Sequence, residues 1–478
     1  MNLAQVLRFS PPPSWGHMDG LAREIHRSCP FLFGQPLVAF TGAGGKTTAL
    51  FRLGRDLLEE HDSVFVTTTT HLGQTQLKLA DHSFQVLSSE DLAAIQAHPP
   101  GGLSVLAGPP VADGRVSGLD PQTLRQLSEL ATAKGFPLLI EADGSRMRPL
   151  KAPAEHEPVV PPFVDTVVCV AGLSALGKRL TSEWVHRPDR FAALSGLAEG
   201  DELTPGALVR VLAHPSGGLK GIPPEARRVA MLNQADTPDL AATARRLASE
   251  LLSSFEAVVV AGQNPTHLPD SEAGWRACEV YEPLAGIVLA AGEARRYGQP
   301  KQLLEWKGQP LVRHAVQAGL SGGLSPVILV TGAYAAEVAQ AVEGLPVQLI
   351  YNPDWQQGLS TSVQAGLRGL PVRIGAALFL LSDQPQVPAD LIRQLAETHA
   401  RTLSPLIAPQ YQGRRLNPAL FDRVTFPELM ALEGDTGGRS LFAEGSPFPV
   451  EWVPWDDPSL SFDVDTPSDF ERLKGMET

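Results

Sequence analysis

Short apolar runs recur along the chain, and most are followed by a longer stretch whose apolar positions return every three or four residues. The first run is Pro36–Phe40. It passes through a glycine-rich string into Thr47–Glu60, where Leu50, Phe51, Leu53, Leu57 and Leu58 recur at helical spacing, which predicts an amphipathic helix. Ser63–Thr68, Pro137–Glu141, Thr166–Ala171, Arg228–Leu232 and Ala257–Ala261 are further runs of strand length. Continuous apolar strands separated by helical stretches predict a parallel sheet covered on both faces.

A second series begins near Leu284. Its strand candidates are Ala285–Leu289, Pro326–Thr331, Val347–Tyr351 and Ala376–Leu381. Helical stretches intervene at Leu311–Leu320, Ala335–Val342, Ser362–Leu367 and Ala389–Ala400. Between the two series lies GQNPTHLPDSEAGWRACEVYEP, which has no strong period, so a domain boundary is expected near Glu282. Residues 1–34, broken by Pro11, Pro12 and Pro13, read as a leader with a short helix at Met18–Arg27. The expected organisation is α/β in two domains, 35–282 and 283–478. No short-period repeat is seen, which argues against a solenoid.

Bulk numbers narrow the function classes. The chain has 478 residues, 43% hydrophobic and 19% charged, an ordinary globular balance for two large domains. A net charge of -13 argues against broad nucleic-acid or anionic-membrane binding, which needs a basic field. The 3 cysteines, Cys29, Cys169 and Cys278, show no CxxC spacing, so neither a disulfide framework nor a zinc site is expected. The start, MNLAQVLRFSPPPSW, has no apolar core of a signal peptide, and no apolar run of about 18 residues exists. A reducing, cytoplasmic setting is expected.

The candidate chemistry of the second half starts at LAAGEARRYGQPKQ, Leu289 to Gln302. Ala290, Ala291 and Gly292 would let a backbone turn approach a ligand, and successive N–H groups there can hold an anion. Arg296 and Lys301 add fixed positive charge, which stabilises charge developing on a departing pyrophosphate. The alternative is an exposed turn with solvated charges. Asp383 follows an apolar strand, at the sheet edge where open α/β sheets bind ligands. A carboxylate there suits Mg²⁺, or simply caps a turn. Asp465, and less so Asp463, could add a second carboxylate, although DTPSD is also good helix-start chemistry. Ser362 could cap its helix and meet a nucleotide, while Asn352 could close a strand.

These motifs, taken in order, resemble a known family. The LAAGEARRYGQPK segment is similar to the LAAGxSxRxGxxK signature of the MocA-like molybdenum cofactor cytidylyltransferases, a branch of the MobA-like nucleotidyltransferases. NPDWQQGLSTSVQAGL, LLSDQPQV, RRLNPALF, GDTGGRSL and DVDTPSDF resemble the family's later segments. The resemblance implies a Rossmann-like, GT-A-like α/β/α sandwich and Mg²⁺-dependent transfer of CMP from CTP to a molybdopterin phosphate. It implies catalytic roles for Arg296, Lys301 and Asp383, metal roles for Asp383 and Asp465, and nucleotide contacts at Leu289, Ala290, Ala291, Gly292, Asn352 and Ser362. LAAG, where the guanylyl branch has LAGG, implies cytidine. Ala294 departs from the usual serine, and Thr361 is a milder departure.

In the first half, FTGAGGKTT lies between a strand and a helix, the context of a phosphate loop. Gly42, Gly44 and Gly45 would give close backbone approach, Lys46 would reach phosphates, and Thr47 would meet Mg²⁺. Phe40 stands where the Walker pattern needs glycine, so the string is nearer the shorter TGxxGKT form. Glu141 or Asp143, at a later strand end, could act as a Walker-B-like carboxylate. Arg146, Arg148 and Lys151 could hold an anion or form a solvated turn. Asn233 and Asp236, in LNQAD, could read a base or only close a strand. His156 invites a metal reading, against a structural hydrogen-bonding one. TGAGGKTT, VTTTTH, EADGSR with LKAPAEHEPVVP, and LNQAD together resemble the YqeC family, accessory proteins of selenium-dependent molybdenum hydroxylases. That implies an ATP- or GTP-dependent step in cofactor maturation, with an apo molybdenum hydroxylase as a partner. Two rivals remain: a nucleotidyltransferase with another acceptor such as a sugar phosphate, and a non-catalytic cofactor-binding chaperone.

Overall fold

The computed structural model describes residues 1–10, 35–263, 275–293, 297 and 299–475. The expected helix at Met18–Arg27, and Ala294 and Arg296 of the second-half loop, lie outside the described residues. The chain divides into two compact units, with the boundary in sequence between Tyr281 and Glu282.

The first unit is built on a nine-stranded sheet. In chain order its strands are β1 (Leu37–Gly42), β2 (Ser63–Thr68), β3 (His82–Gln85), β4 (Gly102–Ala107), β5 (Leu138–Glu141), β6 (Thr166–Gly172), β7 (Arg227–Asn233), β8 (Ala257–Gln263) and β9 (Trp275–Tyr281). Their spatial order is β9-β8-β7-β6-β1-β5-β2-β4-β3. Every pairing is parallel except β8 with β9. The central strands are buried from end to end, as in β2 and β6, which is why they read as unbroken apolar runs. Strands β3, β4 and β9 were not expected. His82–Gln85 is a polar edge strand, and in the edge strand Trp275–Tyr281 Arg276 and Glu279 interrupt the apolar residues, so neither carries a continuous apolar signal.

Residues 1–10, read from sequence as part of a leader, pack into this unit instead. Helix α1 (Leu3–Val6) is buried along its length, and the Leu3 N–H donates to Asp56 Oδ2 at 2.7 Å. The Arg227 guanidinium donates to the Leu7 carbonyl at 2.7 Å.

The second unit is a mixed eight-stranded sheet. Its strands are β10 (Leu284–Ala290), β11 (Val327–Thr331), β12 (Gln348–Tyr351), β13 (Ala376–Leu381), β14 (Leu406–Tyr411), β15 (Arg414–Arg415), β16 (Ala419–Asp422) and β17 (Val450–Pro454). The order is β12-β11-β10-β13-β16-β14-β15, with β17 also on β14. The first four are parallel; β16 is antiparallel to both β13 and β14. One face packs on Leu311–Ser321 and Ala389–Thr402 and the other on Leu359–Arg368, with a separate apolar cluster on each face. The sequence yields the parallel part and misses the four strands after Ala389–Thr402. Two of them contain proline, and Arg414–Arg415 is only two residues long.

Among the described residues no helix is long and apolar enough to cross a membrane.

Candidate functional site

Each unit gathers polar side chains at the carboxyl ends of its central parallel strands.

In the first unit, β1 runs into Gly42, Ala43, Gly44 and Gly45, and helix α2 (Lys46–Leu57) begins directly after. Gly42, Gly44 and Gly45 have φ of +91°, +81° and +114°, a region that only glycine adopts freely. A Cβ on Gly42 would lie 2.2 Å from the Val170 carbonyl, and one on Gly45 would lie 2.4 Å from Asn233 Nδ2. The loop is therefore pressed against β6 and β7. Asn233 Nδ2 donates to the Gly44 carbonyl at 2.7 Å, so Asn233 buttresses the loop.

Lys46 is buried at the first position of α2. Its Nζ donates to the Gly42 carbonyl at 2.7 Å and lies 3.1 Å from Asp143 Oδ1. Burial opposes its charge, yet the carboxylates of Asp143, Glu141 and Glu157 hold its pKa above the ordinary lysine range. Thr47 Oγ1 donates to Glu141 Oε2 at 2.7 Å and accepts from Gln76 Nε2 at 3.2 Å. β5 pairs with β1 in the register Phe40 opposite Glu141, which delivers Glu141 beside the loop. Burial pushes the Glu141 carboxyl upward, against the pull of Lys46 and Thr47. The two carboxylates thus divide the work: Glu141 meets Thr47, and Asp143 meets Lys46.

Lys151 belongs to the support of this site, not to a solvated turn. It is buried and donates to Asp143 Oδ2 at 2.8 Å, to Glu157 Oε2 at 2.9 Å and to the Gly144 carbonyl at 2.7 Å. Arg187 completes the chain with hydrogen bonds to Glu157 of 2.8 and 3.1 Å. Burial disfavours the Glu157 anion, but Arg187 and Lys151 override it and bring the carboxyl down to about 2. Sequence reading pointed to His156, which is exposed; its neighbour Glu157 is the structural residue. Arg146 and Met147 are exposed at φ of +49° and +58°. Cys169 is buried, and burial pushes its thiol up to about 12, which removes thiolate chemistry at neutral pH.

In the second unit, β10 and β13 are adjacent and parallel, with Leu289 opposite Leu381. The loop after β10 and the loop after β13 therefore leave the same edge of the sheet. Lys301 comes from the first loop and Asp383 from the second. Their side chains form a hydrogen-bonded ion pair, and Lys301 Nζ also lies 3.0 Å from Asp465 Oδ1. Burial works against the Lys301 charge, but Asp383 and Asp465 hold its pKa above the ordinary range. Asp463 accepts from Gln384. Its carboxyl is raised by desolvation and, despite that hydrogen bond, by the nearby Asp383 and Asp465.

Ala290 and Ala291 are buried, Leu289 is half-buried, and Gly292 is exposed with open space on its Cβ side. Gln302 Nε2 donates to the Gly292 carbonyl at 3.2 Å and so ties down the turn. Asn352 and Ser362 come together away from solvent. Asn352 Nδ2 donates to Thr361 Oγ1 at 2.9 Å and to Ser362 Oγ at 3.0 Å, while its Oδ1 accepts from the Asp354 N–H at 3.0 Å. The helix starts at Leu359 with Gly358 before it, so Ser362 lies inside its first turns rather than capping it. Thr361, a departure from the family pattern, is part of this lock.

Family models match residues 38–189 as YqeC protein and residues 286–448 as a MobA-like NTP transferase domain. The chain is 35% identical over 200 residues to YqeC of Escherichia coli (strain K12), a match that covers 41% of this chain and 75% of that protein. It is 31% identical over 198 residues to the nicotine blue oxidoreductase of Paenarthrobacter nicotinovorans, covering 40% of this chain and 96% of that one. It is 27% identical over 193 residues to the molybdenum cofactor cytidylyltransferase of Escherichia coli (strain K12), covering 40% and 96%. The chain therefore belongs to the YqeC family through its first unit and to the MobA-like NTP transferase family through its second, which is a nucleotidyltransferase domain.

Proposed function

We propose that the second unit transfers CMP from CTP to the phosphate of molybdopterin and releases pyrophosphate. The first unit, in this reading, binds ATP or GTP for an accessory step in maturation of the same cofactor. The observation that carries the proposal is the Lys301 ammonium shared between Asp383 and Asp465 at the edge where β10 and β13 end.

In the reaction, an oxygen of the acceptor phosphate attacks the α-phosphorus of CTP. The bond from that phosphorus to the bridging oxygen breaks, and the electron pair leaves with pyrophosphate. No side-chain nucleophile is needed. Lys301 stays protonated throughout, because its pKa lies above the ordinary range, and offers fixed charge to the phosphates. The Gly292 turn, tied by Gln302, offers backbone N–H groups to the same anion. Arg296 is expected to add a second cation.

Magnesium fits the donor set. Three carboxylates, Asp383, Asp463 and Asp465, lie close enough for each of the other two to raise Asp463's pKa. Asp383 and Asp465 would hold the ion with phosphate oxygens, since Mg²⁺ takes one or two carboxylates and substrate rather than an all-protein cage. Bound there, Mg²⁺ supplies charge neutralisation and orientation of the triphosphate.

In the first unit, the positive-φ loop, the Lys46 ammonium and the Thr47–Glu141 pair match the needs of a nucleotide's phosphates and Mg²⁺. Asn233 is occupied with Gly44, so base reading through it is not part of the proposal.

A second reading rests on the nicotine blue oxidoreductase relative: an oxidation–reduction reaction of the second unit. One assay separates the two. The full chain is incubated with Mg²⁺, molybdopterin and CTP, GTP, ATP or UTP, and pyrophosphate is measured; in parallel, nicotinamide cofactor consumption is followed. Release that needs both CTP and acceptor supports cytidylyl transfer. Cofactor oxidation without pyrophosphate release overturns it.

A further inference from the structure

The turn 144–148 of the first unit is fixed at both ends, one of them on the phosphate loop itself. Lys151 Nζ donates to the Gly144 carbonyl at 2.7 Å, and the Gly44 N–H of the loop donates to the Arg148 carbonyl at 3.1 Å. The Arg148 N–H closes the turn on the Ser145 carbonyl at 3.0 Å. The next residue, Pro149, accepts from the Gly172 N–H at the end of β6 at 2.9 Å. Between these ties Arg146 and Met147 follow one another in the left-handed region, at φ of +49° and +58°, and both are exposed. Residues with a Cβ hold that conformation only where their surroundings impose it. The turn is therefore a rigid support that carries Arg146 and Arg148 beside the loop.

Among the described residues neither arginine forms an ion pair or a side-chain hydrogen bond, although Arg148 is half-buried. The carboxylates between residues 141 and 157 are already taken. Glu141 accepts from Thr47, Asp143 pairs with Lys46 and Lys151, Glu157 pairs with Lys151 and Arg187, and Glu155 lies 3.6 Å from Arg190. In the nucleotide reading the loop also has its own cation in Lys46 and its own metal pair in Thr47 and Glu141, so the charge on the turn is surplus to it. His186 joins the same cluster. Val185–His186 pairs in parallel with Leu150–Lys151, which sets His186 opposite Lys151. Burial, then the charges of Arg187, Lys151 and Arg146, bring its ring down to about 4, so it is neutral at neutral pH. A neutral imidazole adds a hydrogen-bonding group without further charge. The two guanidinium groups leave two positive charges unmet, and the fork of each matches the oxygens of a phosphate-like group.

We propose that the turn 144–148, with His186, is a second anion site beside the phosphate loop. Arg146 and Arg148 hold a tetrahedral dianion there, as a free oxyanion or as the phosphate monoester of a second substrate, while a nucleotide occupies the loop. The inference goes beyond the nucleotide reading of the first unit and rests on it only for the neighbour it assigns to the dianion.

The test uses the full chain as wild type, Arg146→Gln and Arg148→Gln. Each protein is titrated by calorimetry with the β,γ-imido analogues of ATP and GTP in Mg²⁺. The saturated samples are then titrated with inorganic phosphate or with phenyl phosphate. Any binding of these probes to the second unit is common to the three proteins and cancels in the comparison. Each substitution is expected to weaken probe binding by about tenfold, the loss of a charge-assisted contact, while analogue binding is kept. Tighter binding of phenyl phosphate would identify a phosphorylated organic substrate; inorganic phosphate binding as well or better would identify a free oxyanion. The proposal is overturned if the variants bind both probes as the wild type does, or if no probe binds. It is also overturned if the analogues displace the probe, since the loop itself would then be its site. Equal weakening of analogue and probe overturns it too, because the arginines would belong to the nucleotide. Arginine-dependent probe binding in a chain that binds neither analogue would support the anion site and sink the nucleotide reading of the first unit.

Discussion

Lys301 and Asp465 stand 164 positions apart in the chain and meet at 3.0 Å. The same ammonium pairs with Asp383, so one cation joins the loop after β10, the loop after β13 and the segment before the last helix. Such convergence leaves little tolerance. Asp383→Asn keeps the shape but removes the charge that holds Lys301. Pyrophosphate release is expected to fall by about 10²–10³-fold, the scale of losing one preorganised electrostatic contact. The circular dichroism spectrum should not change. Turnover at the wild-type rate would remove Asp383 from the reaction.

Sequence reading put Asp383 and Asp465 together as candidate carboxylates for one metal ion and Lys301 on the phosphates, but gave no sign that the Lys301 ammonium bridges the two carboxylates. Their meeting is a product of strand order: β10 neighbours β13, so both loops leave one edge. Long buried parallel strands announce themselves because each is a continuous apolar run. The four later strands of the second unit do not. Arg415 lies on a strand of two residues, and Trp452 on one with proline at its end. The pairing of Glu157 with Arg187 was equally hidden. The two residues are 30 apart, and no local period relates them.

Gly45 tests how closely the first-unit loop is fitted. Its φ of +114° disfavours any side chain, and a Cβ would lie 2.4 Å from Asn233 Nδ2. Gly45→Ala is expected to cost about 1–3 kcal/mol of stability from backbone strain, plus the contact with Asn233. ATP and GTP binding, measured by calorimetry, should be lost. Adding Asn233→Ala removes the clash but leaves the φ unchanged, so it should rescue only part of the loss. Full rescue would show that crowding, not backbone conformation, requires glycine.

Glu157 gives the first unit a signed pH response. Its carboxyl is depressed from 4.5 to about 2 in the folded state. A depressed carboxylate contributes stability above its unfolded pKa and loses it as pH falls through the folded one. The wild type should therefore unfold at a higher temperature than Glu157→Gln at pH 7. The gap should begin to close below about 4.5 and vanish near 2. A gap that is constant across this range would mean that the Glu157 charge adds nothing to the Lys151–Arg187 network.

His399 and Asp422 form a second buried pair, which anchors the strand beside the Asp383 strand. Nε2 of His399 lies 2.7 Å from Asp422 Oδ2, and the two side chains are 1% and 0% exposed. Asp422 ends β16, opposite Ala376 at the start of β13, and its Oδ1 accepts from the Val424 N–H at 3.0 Å. His399 projects from the helix Ala389–Thr402. Removing one partner leaves the other polar group buried without its match, a loss of about 3–5 kcal/mol when the pair is charged. His399→Ala should therefore speed amide hydrogen exchange along 389–402 and 419–422 in the full chain, read by mass spectrometry. Strands at the far edge of the same sheet, Val327–Thr331 and Gln348–Tyr351, should change least. If exchange rises equally in all of them, the pair stabilises the unit as one body; if it rises nowhere, the pair is not holding β16.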